Sequence, residues 1–172
     1  GYSHAEQLEN LIDRVLEDSG MSISDLDAVS ISKGPGSYTG LRIGVSLAKG
    51  LCYGLNIPLI SVPTLEAMAS HTSVVEFKGL RIPMLDARRM EVYSCIFNVD
   101  NQLVQETKAI VLDESTFKDL IENQQVVIFG PGMEKSKTIF SKYDSVFFRE
   151  NVLPSSAFMI QISENKYMKK DF

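Results

Sequence analysis

The sequence is poor in the residues that build metal and redox centres. Its 172 residues include only two cysteines and two histidines, and none of them has a second Cys or His at metal-ligand spacing. We therefore predict no protein-bound metal. Cys52 falls in a helical pattern and Cys95 in a strand pattern, so both are expected to be buried, reduced thiols, which suits a cytoplasmic protein.

Long apolar runs and an excess of basic residues are also missing. The longest weakly charged stretch, residues 43–63, is interrupted by Lys49, Asn56 and Pro58, so it does not resemble a membrane span of about 20 apolar residues. No signal-peptide pattern begins at Gly1. The formal net charge is -5, whereas proteins that hold nucleic acid by neutralising phosphates are usually basic. We expect no membrane association, and we expect RNA to be bound only through a partner.

The most specific feature present is a glycine-rich turn at residues 34–44, which reads Gly-Pro-Gly-Ser-Tyr-Thr-Gly-Leu-Arg-Ile-Gly. Such glycines could let backbone amides approach a phosphate. The phosphate-loop motif nevertheless needs a Lys after its last glycine, and Leu41 follows Gly40 here. A dinucleotide-binding fingerprint would need its third glycine one position earlier. The turn is predicted to join a strand to a helix through Gly34, Pro35, Gly36, Gly40 and Gly44.

Hydrophobic periodicity predicts an α/β protein. The first 75 residues alternate helix, strand, helix, strand and helix, as parallel α/β layers do. The predicted helices are 3–18, 39–55 and one that begins at Thr64, and the predicted strands are 28–32 and 58–62. Ser3 and Glu6 form a capping box at the start of the first helix. Apolar residues surround nearly the whole circumference of the helix at 39–55. We therefore expect this helix to be buried on all sides, by packing on its own sheet, by a subunit interface, or by both on different faces.

After residue 75 the hydrophobic pattern changes, and it predicts a strand meander followed by alternating helices and strands. The predicted segments are strands at 81–87, 91–99 and 103–111, a helix at 115–122, a strand at 126–129, a helix at 135–141, a strand at 145–148 and a closing helix at 154–170. This order is that of a ribonuclease-H-like lobe. We divide the chain into an N-terminal lobe, residues 1–75, and a C-terminal lobe, residues 76–172, and predict that the first lobe lacks strands of its own at its start.

Candidate nucleophiles have incomplete surroundings. Ser30 and Lys33 fit the Ser-x-x-Lys pattern of penicillin-binding enzymes, but this serine falls in a predicted strand and the companion motifs are missing. Ser37 lacks the flanking glycines of a nucleophile elbow, since Pro35 and Thr39 stand in their places. The sequence therefore predicts no catalytic serine.

Two polar or glycine-rich turns leave a ligand role open. Asp86, Arg88, Arg89 and Glu91 cluster at a predicted hairpin, where two guanidiniums could bind a ligand or could simply be solvated. Residues 130–132, Gly-Pro-Gly, echo the first glycine turn and are predicted to form a turn after a strand.

Several segments closely resemble the bacterial TsaB family, also called YeaZ. They are residues 3–8, 34–44, 48–51, 58–65, 86–93 and 154–157, so the resemblance spans nearly the whole chain. It implies a two-lobed fold of the actin, sugar-kinase and heat-shock-ATPase class, with a ribonuclease-H-like sheet in each lobe. The family normally opens with N-terminal strands, which the first lobe of this chain would lack.

The resemblance also implies a role in making threonylcarbamoyladenosine (t6A) beside the anticodon of tRNAs. In that pathway the paralogue TsaD carries the metal and transfers the threonylcarbamoyl group, a TsaE-type ATPase hydrolyses ATP, and TsaB is a non-catalytic subunit that binds and activates TsaD. The resemblance implies no catalytic residue and no cofactor in this chain, with ATP used by the wider complex and tRNA reached only through it.

In this family the first two helices of the first lobe form the surface for homodimers and for pairing with TsaD. We therefore expect partner contacts from seven residues on these helices: His4, Leu8, Leu11, Arg42, Ser46, Lys49 and Tyr53. The four on the second helix, from Arg42 to Tyr53, form one polar stripe at helical spacing. Ordinary core packing of Leu8 and Leu11 and a solvated face at Lys49 are the alternatives. Which dimer forms stays open.

Two other functions remain as hypotheses. An actin-like nucleotide-binding ATPase is suggested by the two glycine turns and the predicted lobes. A glycoprotease-type peptidase is suggested by the label that such sequences often carry, although the chain offers no paired nucleophile and base.

Overall fold

The computed structural model describes residues 4–172, and the side chains of residues 7–172. The capping box predicted at Ser3 and Glu6 lies outside the described side chains. The chain forms two compact units, of which one is the segment up to Pro63 together with Ile160–Phe172, and the other is Thr64–Met159. These units are groups of contacting residues, and the lobe limits at residues 75 and 76 stay a prediction.

Residues 4–172 contain seven α-helices and seven strands. The helices are α1 His4–Ser19, α2 Tyr38–Leu55, α3 Thr64–Ala69, α4 Thr72–Val75, α5 Lys118–Asn123, α6 Met133–Phe140 and α7 Ile160–Lys169. The strands are β1 Val29–Ser32, β2 Leu59–Val62, β3 Leu80–Asp86, β4 Glu91–Phe97, β5 Leu103–Val111, β6 Val126–Phe129 and β7 Val146–Arg149. Short 3-10 turns precede β1 and α7, at Ile23–Asp25 and Ser156–Met159.

The first unit is built on two parallel strands. β1 pairs with β2 over its whole length, from Val29 opposite Leu59 to Ser32 opposite Val62. α2 packs on both strands, α1 packs on α2, and α7 packs on β2. Because strand side chains alternate between faces, Ile31 meets α2 while the Ser30 hydroxyl hydrogen-bonds to the Ser163 hydroxyl of α7 at 2.6 Å.

Local capping explains where the two long helices begin and end. α1 ends at Gly20, which has φ of 68° and donates its N–H to Glu17 O at 3.0 Å, as glycine does at the C-terminus of many helices. α2 begins after Ser37, whose hydroxyl accepts the Gly40 N–H at 3.3 Å, and it ends at Asn56 in the left-handed conformation. Both predicted helices are confirmed to within one residue.

The second unit is a five-stranded sheet in the order β5-β4-β3-β6-β7. β3, β4 and β5 form an antiparallel meander, and β6 and β7 run parallel to β3. This confirms the predicted meander and has the topology of a ribonuclease-H-like sheet, the fold unit of actin-like proteins. Apolar clusters cover both faces, since Ile82 and Ile128 point to one cluster and Leu85 and Phe129 to the other.

Three predicted helices begin later or earlier than expected. α5 was expected from residue 115 but begins at Lys118, because the Asp113 carboxylate accepts the N–H groups of Ser115 and Thr116, both at 2.9 Å, and holds them in a turn. α6 begins at Met133, two residues early. The closing helix starts as the 3-10 turn at Ser156–Met159 and becomes α-helical at Ile160.

A fully buried arginine lies in the second unit. Arg81 on β3 donates from Nη1 to Ala69 O at 3.0 Å and from Nη2 to Asn98 O at 2.6 Å. Its Nε has no partner among the described residues, and burial lowers its pKa. The side chain therefore ties the end of α3 to the end of β4, which no local pattern in the sequence indicates.

Both cysteine thiols are buried and reduced, as predicted. Burial raises the pKa of Cys95 to about 12 and also raises the pKa of Cys52. The Cys52 thiol, which is the more accessible at 8% exposure, donates to Pro58 O at 3.4 Å. Neither side chain therefore offers an exposed thiolate for reaction.

A thiol reagent should confirm this inertness. We expect the native protein to react slowly with Ellman's reagent at both cysteines, because each thiol is protonated and screened from solvent, and the same protein in guanidinium chloride to release two equivalents at once. Rapid labelling of the native protein would show that one of these sites is exposed.

Candidate partner-binding surface

One face of α2 packs against the sheet of its own unit. Gly44, Ala48 and Cys52, four residues apart, are its buried residues, and Ile31 Cδ1 lies 3.3 Å from the position that a Cβ of Gly44 would take. Packing on its own sheet therefore buries one face of α2, and cover of its other faces by a partner stays a prediction. Two strands and one neighbouring helix are too few to cover its whole circumference, so its other apolar residues are only half-buried.

The stripe predicted on α2 lies on the opposite, exposed face. Arg42, Ser46, Lys49 and Tyr53 are all exposed, and Tyr53 is 92% exposed. The Arg42 guanidinium lies 5.3 Å from the centre of the Tyr38 ring, a cation–π distance. Contact of this stripe with a partner stays a prediction.

The residues predicted on α1 extend this exposed area. Leu11 is 54% exposed and Leu8 is half-buried, so ordinary core packing within this chain does not account for Leu11. The side chain of His4 lies outside the described residues. Val15, one helical turn after Leu11, is 65% exposed, so α1 presents a row of exposed aliphatic side chains.

Three open grooves follow α2 along its exposed side. One of about 480 Å³ includes Tyr38, Arg42 and Ser46, and one of about 310 Å³ includes Leu8 and Leu11. The third, of about 450 Å³, is lined by Ile23, Ser46, Leu47, Gly50, Leu51, Gly54 and Leu55. We call the exposed residues Leu11, Arg42, Ser46, Lys49 and Tyr53, together with these grooves, the α2 surface.

Two glycines on the α2 surface have no role in the packing of the described residues. A Cβ added at Gly50 or Gly54 meets no atom within 4 Å, in contrast to Gly44. Each glycine inside a helix costs about 0.5–1 kcal/mol relative to alanine. Their position lets the backbone of another element approach α2 closely.

The glycine motif turn forms the junction between β1 and α2. Gly34 is buried against Leu41 of the first helical turn, the Gly34–Pro35 peptide is cis, and Lys33 N–H donates to Val62 O at 2.9 Å. Gly36 and Gly40 are exposed, and Gly40 donates to the Ser37 cap. The motif therefore sets where α2 begins and how it lies on β1.

The second glycine turn is also explained by packing. A Cβ at Gly130 would lie 2.5 Å from Met84 O and 2.4 Å from Met68 Cε, and this glycine has φ of 100°. Gly132 N–H donates to Met84 O at 2.9 Å. Residues 130–132 thus fasten the start of α6 to β3.

The charged cluster at the hairpin between β3 and β4 includes a residue that sequence reasoning missed. Lys135 Nζ on α6 lies 2.9 Å from Asp86 Oδ1 and 3.1 Å from Glu91 O. Its hydrogen bond lowers the pKa of Asp86. Lys135 follows Asp86 by 49 positions, so only the tertiary fold could reveal the pair. Arg88 and Arg89 are exposed at the turn.

The side chains considered as nucleophiles have other roles. Ser30 shares a hydrogen bond with Ser163, and Ser37 caps α2. Across the described residues, no group of three or more His, Cys, Asp or Glu side chains could hold a metal ion. No helix within residues 4–172 has both the length and the apolar composition needed to cross a membrane.

Comparison with known proteins identifies the family. A family model described as TsaD, tRNA N6-adenosine threonylcarbamoyltransferase, matches residues 2–155. The chain belongs to the TsaD family. The tRNA threonylcarbamoyladenosine biosynthesis protein TsaB of Bacillus subtilis is 39% identical over 104 residues, which cover 60% of this chain and 44% of that protein. TsaB of Haemophilus influenzae is 25% identical over 98% of this chain and 74% of that protein. These relatives place the chain in the TsaB/YeaZ group of the family.

Solved structures agree with the fold. A crystal structure from Pseudomonas aeruginosa, described as an uncharacterized protein with similarity to peptidase YEAZ, has a TM-score of 0.79 at 20% identity and covers 97% of this chain and 78% of that one. YeaZ from the same organism has a TM-score of 0.75 at 20% identity, covering 99% and 80%. Together with the TsaD family model and the order of the five-stranded sheet, these structures confirm the predicted actin-like, ribonuclease-H-like class.

Proposed function

We propose that this chain is a non-catalytic activating subunit of the t6A modification machinery, which binds a TsaD-type transferase through the α2 surface. The observation that carries this proposal is the exposed face of α2, which includes two glycines that no described residue packs against. The names of its TsaB relatives, which describe t6A biosynthesis proteins, supply the pathway.

The composition of the α2 surface fits docking of another helix. Exposed Leu11 and Tyr53 offer apolar and aromatic area of the kind that supplies most binding energy in interfaces. Gly50 and Gly54 have no side chains and line one of the grooves. The backbone of a partner helix can therefore pack close to α2 there. Arg42 and Lys49 have no ion pair among the described side chains, so carboxylates of a partner can pair with them at the rim.

The wider assembly follows from this role. TsaD is the direct partner, a TsaE-type ATPase uses ATP in the same complex, and a second copy of this chain can occupy the α2 surface when TsaD is absent. The chain itself binds no cofactor in this proposal, and the complex works in the cytoplasm, where tRNA is modified.

Size-exclusion chromatography tests the binding step. The full-length protein mixed with TsaD should elute as one complex, earlier than either protein alone. Separate elution of the two proteins at micromolar concentration would refute the proposed pairing.

Substitution of the two open glycines should separate folding from binding. We expect Gly50→Ala with Gly54→Ala to raise the free energy of unfolding by about 1–2 kcal/mol in total, because alanine favours the helix and meets no neighbour. The same double variant should bind TsaD about tenfold more weakly, because the added methyl groups keep the partner backbone away. Denaturant unfolding and calorimetry measure the two effects.

The matched control for this prediction is Asn165→Ala on the exposed face of α7. It should also stabilise the helix that carries it but leave the affinity for TsaD unchanged. Equal affinity of the glycine variant and the unmodified protein would show that no partner backbone approaches at Gly50 and Gly54.

The competing functions have weaker support. A nucleotide-hydrolysing role rests on the actin-like fold alone, and calorimetry with ATP and magnesium would establish it if tight binding came with turnover. A peptidase role rests on the similarity to a peptidase that is described for one structural neighbour, which is 20% identical to this chain. Reproducible cleavage that a single point substitution abolishes would be needed to revive it, since Ser30 and Ser37 have structural hydrogen bonds instead of a general base.

A further inference from the structure

The turn between β3 and β4 holds two adjacent arginines in an unfavourable backbone conformation. Arg88 and Arg89 have φ of 73° and 44°, in the left-handed region that glycine and asparagine adopt more readily than other residues. Arg88 N–H donates to Asp86 Oδ1 at 2.6 Å, and Glu91 N–H donates to Arg88 O at 3.0 Å. The turn is thus fixed by hydrogen bonds, with arginines where smaller residues would be more stable.

The charges of both arginines remain available to a ligand. Among the side chains of residues 7–172, no carboxylate lies within 4.0 Å of either guanidinium. Of the two acidic residues in this segment, Asp86 is already paired with Lys135 at 2.9 Å, and Glu91 lines the same concavity as the arginines. The two arginines outnumber this one remaining carboxylate, so the turn carries a net positive charge in a chain whose formal net charge is -5.

An open concavity adjoins this charge, and the exposed Tyr93 lies on the same strand as one of its lining residues, Glu91. The concavity measures about 600 Å³ and is lined by Arg88, Arg89, Met90, Glu91 and Val111, with Ala87. Tyr93 follows Glu91 by two positions on β4, so both side chains lie on the same face of the sheet. Tyr93 is 38% exposed and lies between Leu85 of β3 and the small Ala109 of β5.

We propose that this turn is a contact site for single-stranded RNA, in which Arg88 and Arg89 bind a backbone phosphate and an adjacent base stacks on Tyr93. Guanidinium groups match phosphate oxygens in charge and geometry. Unpaired bases stack on exposed aromatic rings, and this combination is how proteins commonly bind single strands. An open site with an aromatic neighbour suits a polymer better than a small phosphorylated metabolite, which would need an enclosed pocket.

This inference rests on the proposed function, because tRNA is the substrate of t6A synthesis. It changes the expectation that RNA is reached only through a partner, since the chain would itself hold one segment of the strand. The overall negative charge limits the contact to this turn and makes the binding weak and sensitive to salt.

Fluorescence anisotropy with a labelled anticodon stem-loop RNA tests the site. The full-length protein, alone and with TsaD at low salt, should bind this RNA, and Arg88→Glu with Arg89→Glu should weaken binding at least about tenfold. The matched control is Lys169→Glu with Lys170→Glu, which changes the net charge equally at an exposed pair on the C-terminal segment. It should change the affinity by less than about twofold.

Two further substitutions separate binding from a structural role. Tyr93→Ala should weaken RNA binding by about fivefold to tenfold, whereas Tyr93→Phe, which keeps the ring, should not. Arg88→Gly with Arg89→Gly should raise the melting temperature by about 2–4 °C, because glycine relieves the backbone strain. The same glycine variant should lose RNA binding, so that stability and binding change in opposite directions.

The inference is overturned if the unmodified protein does not bind the RNA at low salt, if both charge-reversal variants weaken binding equally, or if Arg88→Glu with Arg89→Glu leaves binding intact. Co-elution with TsaD is measured on the same proteins. If the unmodified protein co-elutes with TsaD but the turn does not bind RNA, the inference fails and the activating role stands. If the unmodified protein does not co-elute with TsaD, the proposed function is refuted.

Discussion

Leu11→Arg is expected to weaken binding to TsaD by about 100-fold or more, because an unpaired guanidinium would be buried between the α2 surface and its partner. The side chain is 54% exposed in this chain, so the substitution adds no charge to the core of the isolated protein. Its melting temperature should therefore stay close to that of the unmodified chain. Calorimetric titration with TsaD measures the affinity, and thermal unfolding checks the fold.

Val104→Arg is the matched control, since Val104 is 57% exposed on β5 of the other unit. It introduces the same charge at a similarly exposed aliphatic residue and should leave TsaD binding unchanged. If Leu11→Arg binds as tightly as this control, α1 takes no part in the contact and the partner must dock elsewhere.

Gly130→Ala is expected to reduce the free energy of unfolding by about 3 kcal/mol or more, which corresponds to a melting temperature lower by about 6–12 °C. Two effects add. The backbone at Gly130 has φ of 100°, and the new Cβ would lie 2.5 Å from the carbonyl oxygen of Met84. The Met68 methyl group can move aside, but the Met84 carbonyl is held because it accepts the Gly132 N–H.

Gly50→Ala provides the comparison, because alanine at that open helical position should stabilise the protein. Denaturant unfolding of the two single variants gives both values under one set of conditions. Opposite signs are expected. A Gly130→Ala protein as stable as the unmodified one would mean that the turn adopts another backbone path.

The regular elements could be predicted because their signals are local. The strand at residues 126–129 was predicted with the limits that the structure shows, and the helix predicted at 3–18 runs from His4 to Ser19. A short apolar run bounded by polar residues and a glycine turn defines such a strand. A stripe of apolar residues that Gly20 ends defines such a helix.

Features that depend on distant parts of the chain could not be predicted. Arg81 is an ordinary charged residue in the sequence, and its burial depends on carbonyl groups of Ala69 and Asn98 that the fold brings together. The pairing of Lys135 with Asp86 likewise needs α6 beside β3. The apolar residues of α2 predicted cover on all sides, but they could not indicate which side its own sheet covers and which side stays open within residues 4–172.

The candidate surface was partly predictable. Helical spacing alone put Arg42, Ser46, Lys49 and Tyr53 on one stripe, and the structure shows all four exposed. The grooves beside them and the open space at Gly50 and Gly54 depend on how α1 and the sheet flank α2. Spacing therefore indicated which residues face outward, and packing indicated where a partner can approach.

Reconstituted t6A synthesis tests the central claim, that this chain activates a TsaD-type transferase, most directly. TsaD, the TsaE-type ATPase, ATP with magnesium, threonylcarbamoyl-adenylate and an unmodified tRNA are incubated with and without the full-length protein, and t6A is measured by mass spectrometry of the nucleosides. We predict that t6A forms in quantity only when the protein is present, and that Leu11→Arg fails to support it while Val104→Arg succeeds. Equal amounts of t6A with and without the protein would contradict the activating role.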